Sequence, residues 1–512
     1  MKIKNILEAT KGNLIKGEEN AEIKEFYKDT RIIKKGDTYI GIKGENFDGN
    51  TLWQKAFEAG AETVIVEGID FSKENLEQYQ NKNIIEVKDT IQALADIATY
   101  KRMTCKKDFQ VVGVTGSVGK TSTKDIIANV VSQKYSTLKT QGNNNNNIGL
   151  PFTIFKLEEQ EAAVIEMGMN HFGEISKLTK IAKPTISVIT NIGTSHIGNL
   201  GSRENILKAK LEILEGMDKK VLVINNDNDL LHKYYLENLE NADIEIHTYG
   251  IENDSDVTAE NIILNENDSE FICNIKGEKF KVKVPVGGIH FVYNAICAAT
   301  VGTLLGLSNE QIKEGIETFE LTKKRMDITE LKNGVTLIND SYNASFESMQ
   351  ASLKYLNEVI TPLDKEIYIG GHSKGGNLAM YASMYVSDDI FKRIKNIYNL
   401  DGPGFRKEYL KDFRKITTKL KIYIPEDSII GLLLYSNSNK VIVKSNSSGI
   451  FEHDINNWIC FGSFLVEGKL SKISIRIDNR IKSWYKNYSL EEIREMILAF
   501  FNVLEINNIK SF

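Results

Sequence analysis

Residues Gly113 to Lys124 read GVTGSVGKTSTK, preceded by an apolar run from Phe109 to Val114 and followed by a helix-like stretch. This segment constrains the fold most, because a glycine-rich turn between a strand and a helix belongs to a β-α unit and so to a mostly parallel sheet. Glycines let backbone N–H groups curl around phosphate oxygens, and the helix N-terminus adds a favourable dipole. In such a loop Lys120 reaches the β- and γ-phosphates of ATP and Thr121 holds Mg²⁺, with Gly116, Ser117, Gly119 and Ser122 completing the cradle. The general spacing is G-x-x-x-x-G-K-[ST]; here Val114 stands at the first glycine position and Gly113 lies one residue earlier.

At 512 residues the chain has room for three domains of about 100–200 residues each. Its 41% hydrophobic and 26% charged content is that of a soluble globular protein. The net charge of −5, without a sustained basic run, argues against a nucleic-acid partner. The first residues lack an apolar signal core, and no stretch approaches the roughly 18 apolar residues of a membrane span. A monomeric cytoplasmic enzyme without membrane insertion is expected. Cys105, Cys273, Cys297 and Cys460 show no C-x-x-C spacing and read as buried apolar residues.

Apolar runs alternate with helical periodicity, so an α/β fold is expected. Residues 1–103 form a first domain, with strands Asp37–Ile42 and Thr63–Val66 and a helix over Leu52–Ala59. Residues 104–320 form a second, with the phosphate loop, strands Ala162–Met167, Ile186–Asn191 and Lys220–Asn225, and a β-rich insert around Glu270–Pro285. Residues 321–512 form a third, opening with strand Val335–Asn339. Five consecutive asparagines, Asn143–Asn147, read by composition as a polar loop.

Beyond the loop, VIEMGMN sets Glu166 at a strand end, where a hard oxygen ligand suits Mg²⁺. VITNIGTSHIGNLGS puts His196 past another strand end, and SRENILKAKLEIL puts Lys210 on the helix that follows. In this order the motifs resemble the Mur ligase superfamily, and over residues 1 to about 350 its MurF type, which joins D-alanyl-D-alanine to a UDP-N-acetylmuramoyl-tripeptide. That resemblance implies a three-domain architecture with a Rossmann-like central domain carrying the phosphate loop. It implies that Thr30, Arg31 and Asp48 in DTRIIKKGDTYIGIKGENFDGN serve the UDP substrate, as do Asn143, Asn145 and Asn146 in TQGNNNNNIGLP. It further implies Asn294 and Arg325 at the nucleotide, Asp340 and Asn343 at the entrance to the third domain, Glu166 and His196 as metal ligands, and Lys210 as a carbamylated lysine at a second metal. ATP then passes its γ-phosphoryl group to a carboxylate, and the dipeptide amine attacks the acyl phosphate.

After SMQASLKYLNEV the sequence changes character. IYIGGHSKGGNLAMYAS places Ser373 between a strand and a helix, the context of a nucleophile elbow. NIYNLDGPGF, KIYIPEDSIIGLLL and GIFEHDINNW follow, giving the order Ser, acid, His with His453 as base. Asp427 follows a strand where a triad acid usually stands, whereas Asp401 sits in the more distinctive DGPGF; Asp427 is preferred. Residues 351–505 resemble a lipase-like family of bacterial α/β-hydrolases, which implies a hybrid third α/β domain with ligase sequence over 321–350. Its alternative activity is serine ester hydrolysis, and a third reading is a hybrid that binds nucleotide without turnover. The strands that should precede Ile367 are missing from the hydrolase part, and with them part of an oxyanion hole. Strand Val335–Asn339, a helix over Glu347–Val359 and strand Glu366–Gly370 are expected to continue one sheet.

Overall fold

The computed structural model describes residues 1–320 except 45, 46 and 266, residues 327–489 except 333, 340, 342–348, 351, 354, 355, 357–365 and 437, and residues 492, 493, 495 and 499. The chain divides into two compact units, Met1–Thr322 and Lys323–Phe512.

The first unit opens with strands β1 (Asn13–Lys16), β2 (Phe26–Tyr27), β3 (Thr38–Ile40), β4 (Thr63–Val66) and β5 (Asn83–Glu86). They form a sheet in the order β1-β5-β4-β3-β2, parallel except for β1. The strand expected over Asp37–Ile42 shrinks to β3 at its front edge because the Asp37 carboxylate accepts from Lys34 N at 2.7 Å and closes a turn. The helix expected over Leu52–Ala59 runs Trp53–Glu58, after a 3₁₀ turn capped by Asp48.

The second sheet contains β6 (Gln110–Thr115), β7 (Thr137–Lys139), β8 (Ala162–Glu166), β9 (Ile186–Ile189), β10 (Lys220–Asn225), β11 (Ile244–Gly250), β12 (Val257–Leu264), β13 (Ser269–Ile275) and β14 (Glu278–Val284). Their order is β14-β13-β12-β11-β10-β9-β6-β8-β7, parallel from β7 to β12. The residues expected as a β-rich insert are an antiparallel extension of this same sheet. Side chains of β13 alternate between buried and half-buried, which is how a strand with one covered face reads. Strand β6 has β8 on one side and β9 on the other, so the chain reverses direction there and opens a crevice at the carboxyl ends of these strands. A continuous core joins both sheets, with Phe26 stacked on Phe155 at 4.1 Å.

In the second unit β15 (Asp327–Glu330) and β16 (Thr336–Asn339) make an antiparallel pair. Separately, β17 (Ile367–His372), β18 (Ile394–Leu400), β19 (Leu420–Pro425) and β20 (Lys440–Val443) make a parallel four-stranded sheet. The single sheet expected from Val335 through Gly370 is therefore not formed among the described residues. A turn with Gly334 at φ 78° folds β15 and β16 onto each other instead. Most of the expected helix 347–359 lies outside the described residues. Ile369, Ile397, Ile422 and Ile424 lead the second core.

Candidate active site

The phosphate loop leaves the carboxyl end of β6 and enters the helix Lys120–Val131, as its sequence predicts. Gly116 is required by close approach, since a Cβ there would lie 1.9 Å from Thr190 Oγ1. The segment after β9 braces the loop: Val118 N donates to Asn191 Oδ1 at 3.0 Å, and Gly193 N donates to Ser117 Oγ at 2.9 Å. Lys120 Nζ donates to Gly116 O at 2.9 Å, so the ammonium lies over the loop it is expected to serve. Thr121 is buried at the start of the same helix, and Ser122 follows it. Asn294 is brought to this helix by the helix Ile289–Leu304, and its Oδ1 accepts from Thr123 Oγ1 at 2.8 Å.

Glu166 closes β8, the immediate neighbour of β6, and is 2% exposed. Its Oε1 accepts from Asn145 Nδ2 at 2.8 Å, while Oε2 is buried and has no hydrogen-bond partner. A buried carboxylate oxygen without a donor is costly unless a cation takes that place, so the site fits Mg²⁺, which holds few protein ligands and keeps several waters. His196 is exposed, with φ 65°, at the start of the short helix Ile197–Leu200. No group of three or more His, Cys, Asp or Glu side chains converges in metal-binding fashion among the described residues. Lys210 is 2% exposed, and burial, with the charge of Lys120 adding to it, drives its pKa well below the usual lysine value. Carbamylation requires the neutral amine, and this shift favours that form.

The asparagine loop is tied down internally. Asn146 Oδ1 accepts from Gly149 N at 2.8 Å and from Ile148 N at 3.2 Å, and Asn145 is committed to Glu166. Asn143 O accepts from Asn145 N at 2.8 Å. In the first sheet Thr30 and Arg31 line a cleft with Lys28, Tyr39, Phe47 and Leu52. Arg31 pairs with Asp29 at 2.6 Å and holds its carboxyl down to about 2. Asp48 supports the cleft, since its Oδ1 accepts from Asn50 N at 2.9 Å and orders the turn that carries Gly49. Arg325, Asp340 and Asn343 lie outside the described residues.

In the second unit Ser373 stands between β17 and the helix Lys374–Tyr385 with φ 55° and ψ −125°, a region that favours glycine. Gly371 allows this turn, because a Cβ there would meet Gly375 C at 2.2 Å. The structure pairs His453 with Asp401 rather than with Asp427, the acid preferred from the sequence. His453 Nδ1 is 2.7 Å from Asp401 Oδ2, and Asp401 is 1% exposed. Its other oxygen accepts from Ser428 Oγ at 2.6 Å and Gly431 N at 3.0 Å. Asp427 instead accepts from Gly449 N at 2.9 Å and donates its own N–H to Glu452, bracing the turn that carries His453. Both acids follow strands of one sheet, so strand position alone did not separate them. Residue-by-residue reading also missed His372, whose Nε2 is 2.6 Å from His453 O. The thiols divide as well: Cys273 and Cys297 are buried, but Cys105 is half-buried and Cys460 exposed.

Residues 22–102 match the Mur ligase family catalytic domain, residues 114–302 the Mur ligase middle domain, and residues 338–502 the family described as Mbeg1-like. The chain is 37% identical over 372 residues to the UDP-N-acetylmuramoyl-tripeptide–D-alanyl-D-alanine ligase of Bacillus subtilis, covering 72% of this chain and 78% of that one. With the ligase of the same name from Escherichia coli it shares 30% over 423 residues, or 79% and 89% of the two chains. MurF from Acinetobacter baumannii matches in structure with a TM-score of 0.71 and 28% identity, over 83% of this chain and 90% of that one. The phosphate loop, the buried Glu166 and the kinship across both sheets thus converge, and the chain belongs to the UDP-N-acetylmuramoyl-tripeptide–D-alanyl-D-alanine ligase family, the MurF branch of the ATP-dependent Mur ligases of peptidoglycan precursor synthesis.

Proposed function

We propose that the chain joins D-alanyl-D-alanine to a UDP-N-acetylmuramoyl-tripeptide in the cytoplasm, acting as a monomer. The observation that carries this reading is the placement of the phosphate loop beside a buried carboxylate whose Oε2 lacks a donor, at the switch point of the sheet. A carboxylate oxygen of the tripeptide attacks the γ-phosphorus of ATP, the bond to the β-phosphate oxygen breaks, and ADP leaves. The dipeptide amine then attacks the acyl carbon, releasing inorganic phosphate and a proton. Lys120, now over Gly116 O and Ser117 O, turns toward the phosphates and offsets their charge in the transition state. Glu166, His196 and Thr121 would hold Mg²⁺, which would supply charge neutralisation to the phosphoryl group in transfer. Thr30 and Arg31 orient the uridine end in their cleft. Phosphate release that needs both ATP and D-alanyl-D-alanine tests the reading. Lys120→Ala should abolish it at unchanged melting temperature, and release independent of the dipeptide would reject it.

A second reading concerns the unit Lys323–Phe512. The Asp401–His453 contact and the positive φ of Ser373 favour a serine hydrolase centre there, with Ser373 as nucleophile and His453 as base. Labelling by a fluorophosphonate, lost in Ser373→Ala, supports it; equal labelling of both chains removes it.

A further inference from the structure

In the asparagine run, expected to serve the UDP substrate, Asn145 is committed instead to Glu166. Three bonds hold Asn145, one within its own loop and two to the end of β8 and the residues just after it. Its N–H donates to Asn143 O at 2.8 Å, its carbonyl accepts from Gly168 N at 2.8 Å, and its side-chain amide donates to Glu166 Oε1 at 2.8 Å. Gly168 leaves room for this, since a Cβ there would come within 3.1 Å of the Asn145 amide. Glu166 N in turn donates to Thr140 Oγ1 at 3.0 Å, and Thr140 O accepts from the buried Lys124 Nζ at 2.8 Å. The segment Thr140–Asn145 is thereby stitched both to the strand end that carries Glu166 and to the phosphate-loop helix. Within this arrangement one carboxylate oxygen is satisfied by an amide donor, and the other is left buried without one.

We infer that Asn145 is a positioning residue for the metal: it fixes the Glu166 carboxylate so that Oε2 faces the cation. The inference rests on the ligase reading above. An amide suits the task because it donates to one oxygen without adding charge, whereas an aspartate would repel Glu166. Outer-sphere donors of this kind typically change metal affinity by about 10–100-fold when removed.

The test uses the full chain, Mn²⁺ as probe and electron paramagnetic resonance of free Mn²⁺ with ADP present. Asn145→Ala should weaken Mn²⁺ binding by about 10–100-fold while ADP affinity in EDTA stays unchanged, and Asn145→Gln, which keeps an amide donor, should recover part of the loss. Ser308→Ala, which removes the side-chain cap of the helix Asn309–Glu317 in the same unit, serves as the structural control: it should lower the melting temperature and leave Mn²⁺ affinity within twofold. If Asn145→Ala also binds Mn²⁺ within twofold of the parent chain, the assignment fails, and all the more clearly if affinity for the UDP-muramoyl peptide falls instead. A parent chain that binds no Mn²⁺ with ADP overturns the assignment and the ligase reading together.

Discussion

At the residue scale, two cases show how surroundings set chemistry. Burial drives the pKa of the Lys210 ammonium well below the ordinary value of about 10.4 that it keeps in the unfolded chain. Between its depressed folded pKa and that value the unfolded state binds more protons, so stability rises with pH across this window. Lys210→Met should therefore melt at a higher temperature than the parent chain at pH 7, by a margin that narrows toward pH 10, and yet be inactive as a ligase. A lower melting temperature at pH 7 would contradict this. The second case is the pair Asp401 and Asp427. Asp401→Asn should slow fluorophosphonate labelling by about 10³–10⁴-fold through loss of the imidazole's orientation. Asp427→Asn keeps the Asp401–His453 contact and should retain most labelling. The reverse ranking, read from labelling time courses, would restore Asp427 as the acid. Ser373 adds a third mark: its backbone lies where a side chain is strained by about 1–3 kcal/mol. Ser373→Gly should gain stability in denaturant while losing all labelling.

Among elements, the phosphate-loop helix depends on charges it hides. Lys124 and Asp125 pair at 2.8 Å with side chains 4% and 2% exposed, and Lys139 on β7 reaches the same oxygen at 2.9 Å. Removing one partner of a buried pair leaves the other uncompensated, at a cost of about 3–5 kcal/mol. Asp125→Ala should lower the unfolding free energy of the first unit, read from urea titration, by that amount, and a loss below about 1 kcal/mol would mean that water reaches Lys124. The helix itself was readable in the sequence, because a glycine loop and a lysine-threonine pair sit between an apolar run and a helical period. The two-residue period of β13 was readable too, yet not that it extends the main sheet, since pairing partners far apart in sequence leave no local trace. Asn145 was hidden for the same reason: composition shows a polar run, and only the fold shows that one amide meets Glu166. At β16, by contrast, local turn chemistry overrode the expected continuation of a longer sheet.

On the scale of the whole molecule, each unit has hydrophobic clusters of its own, in the first unit one spanning Ile3 to Phe319 and a smaller one around Trp53, in the second one led by Ile369 to Ile424. Separate cores need not unfold together. Calorimetry should resolve two transitions, and ADP with Mg²⁺ should raise one of them alone, by the mass action of a ligand on the unit that binds it. A single transition that moves as a whole would refute this. Separate melting has a consequence for how long the chain lasts in a cell. A protease that acts on the open form samples whichever unit opens more often, and if it then proceeds along the backbone it removes both. The lifetime of the better-built half is thus set by its neighbour, and one polypeptide bond makes the abundance of two unlike sites a single quantity.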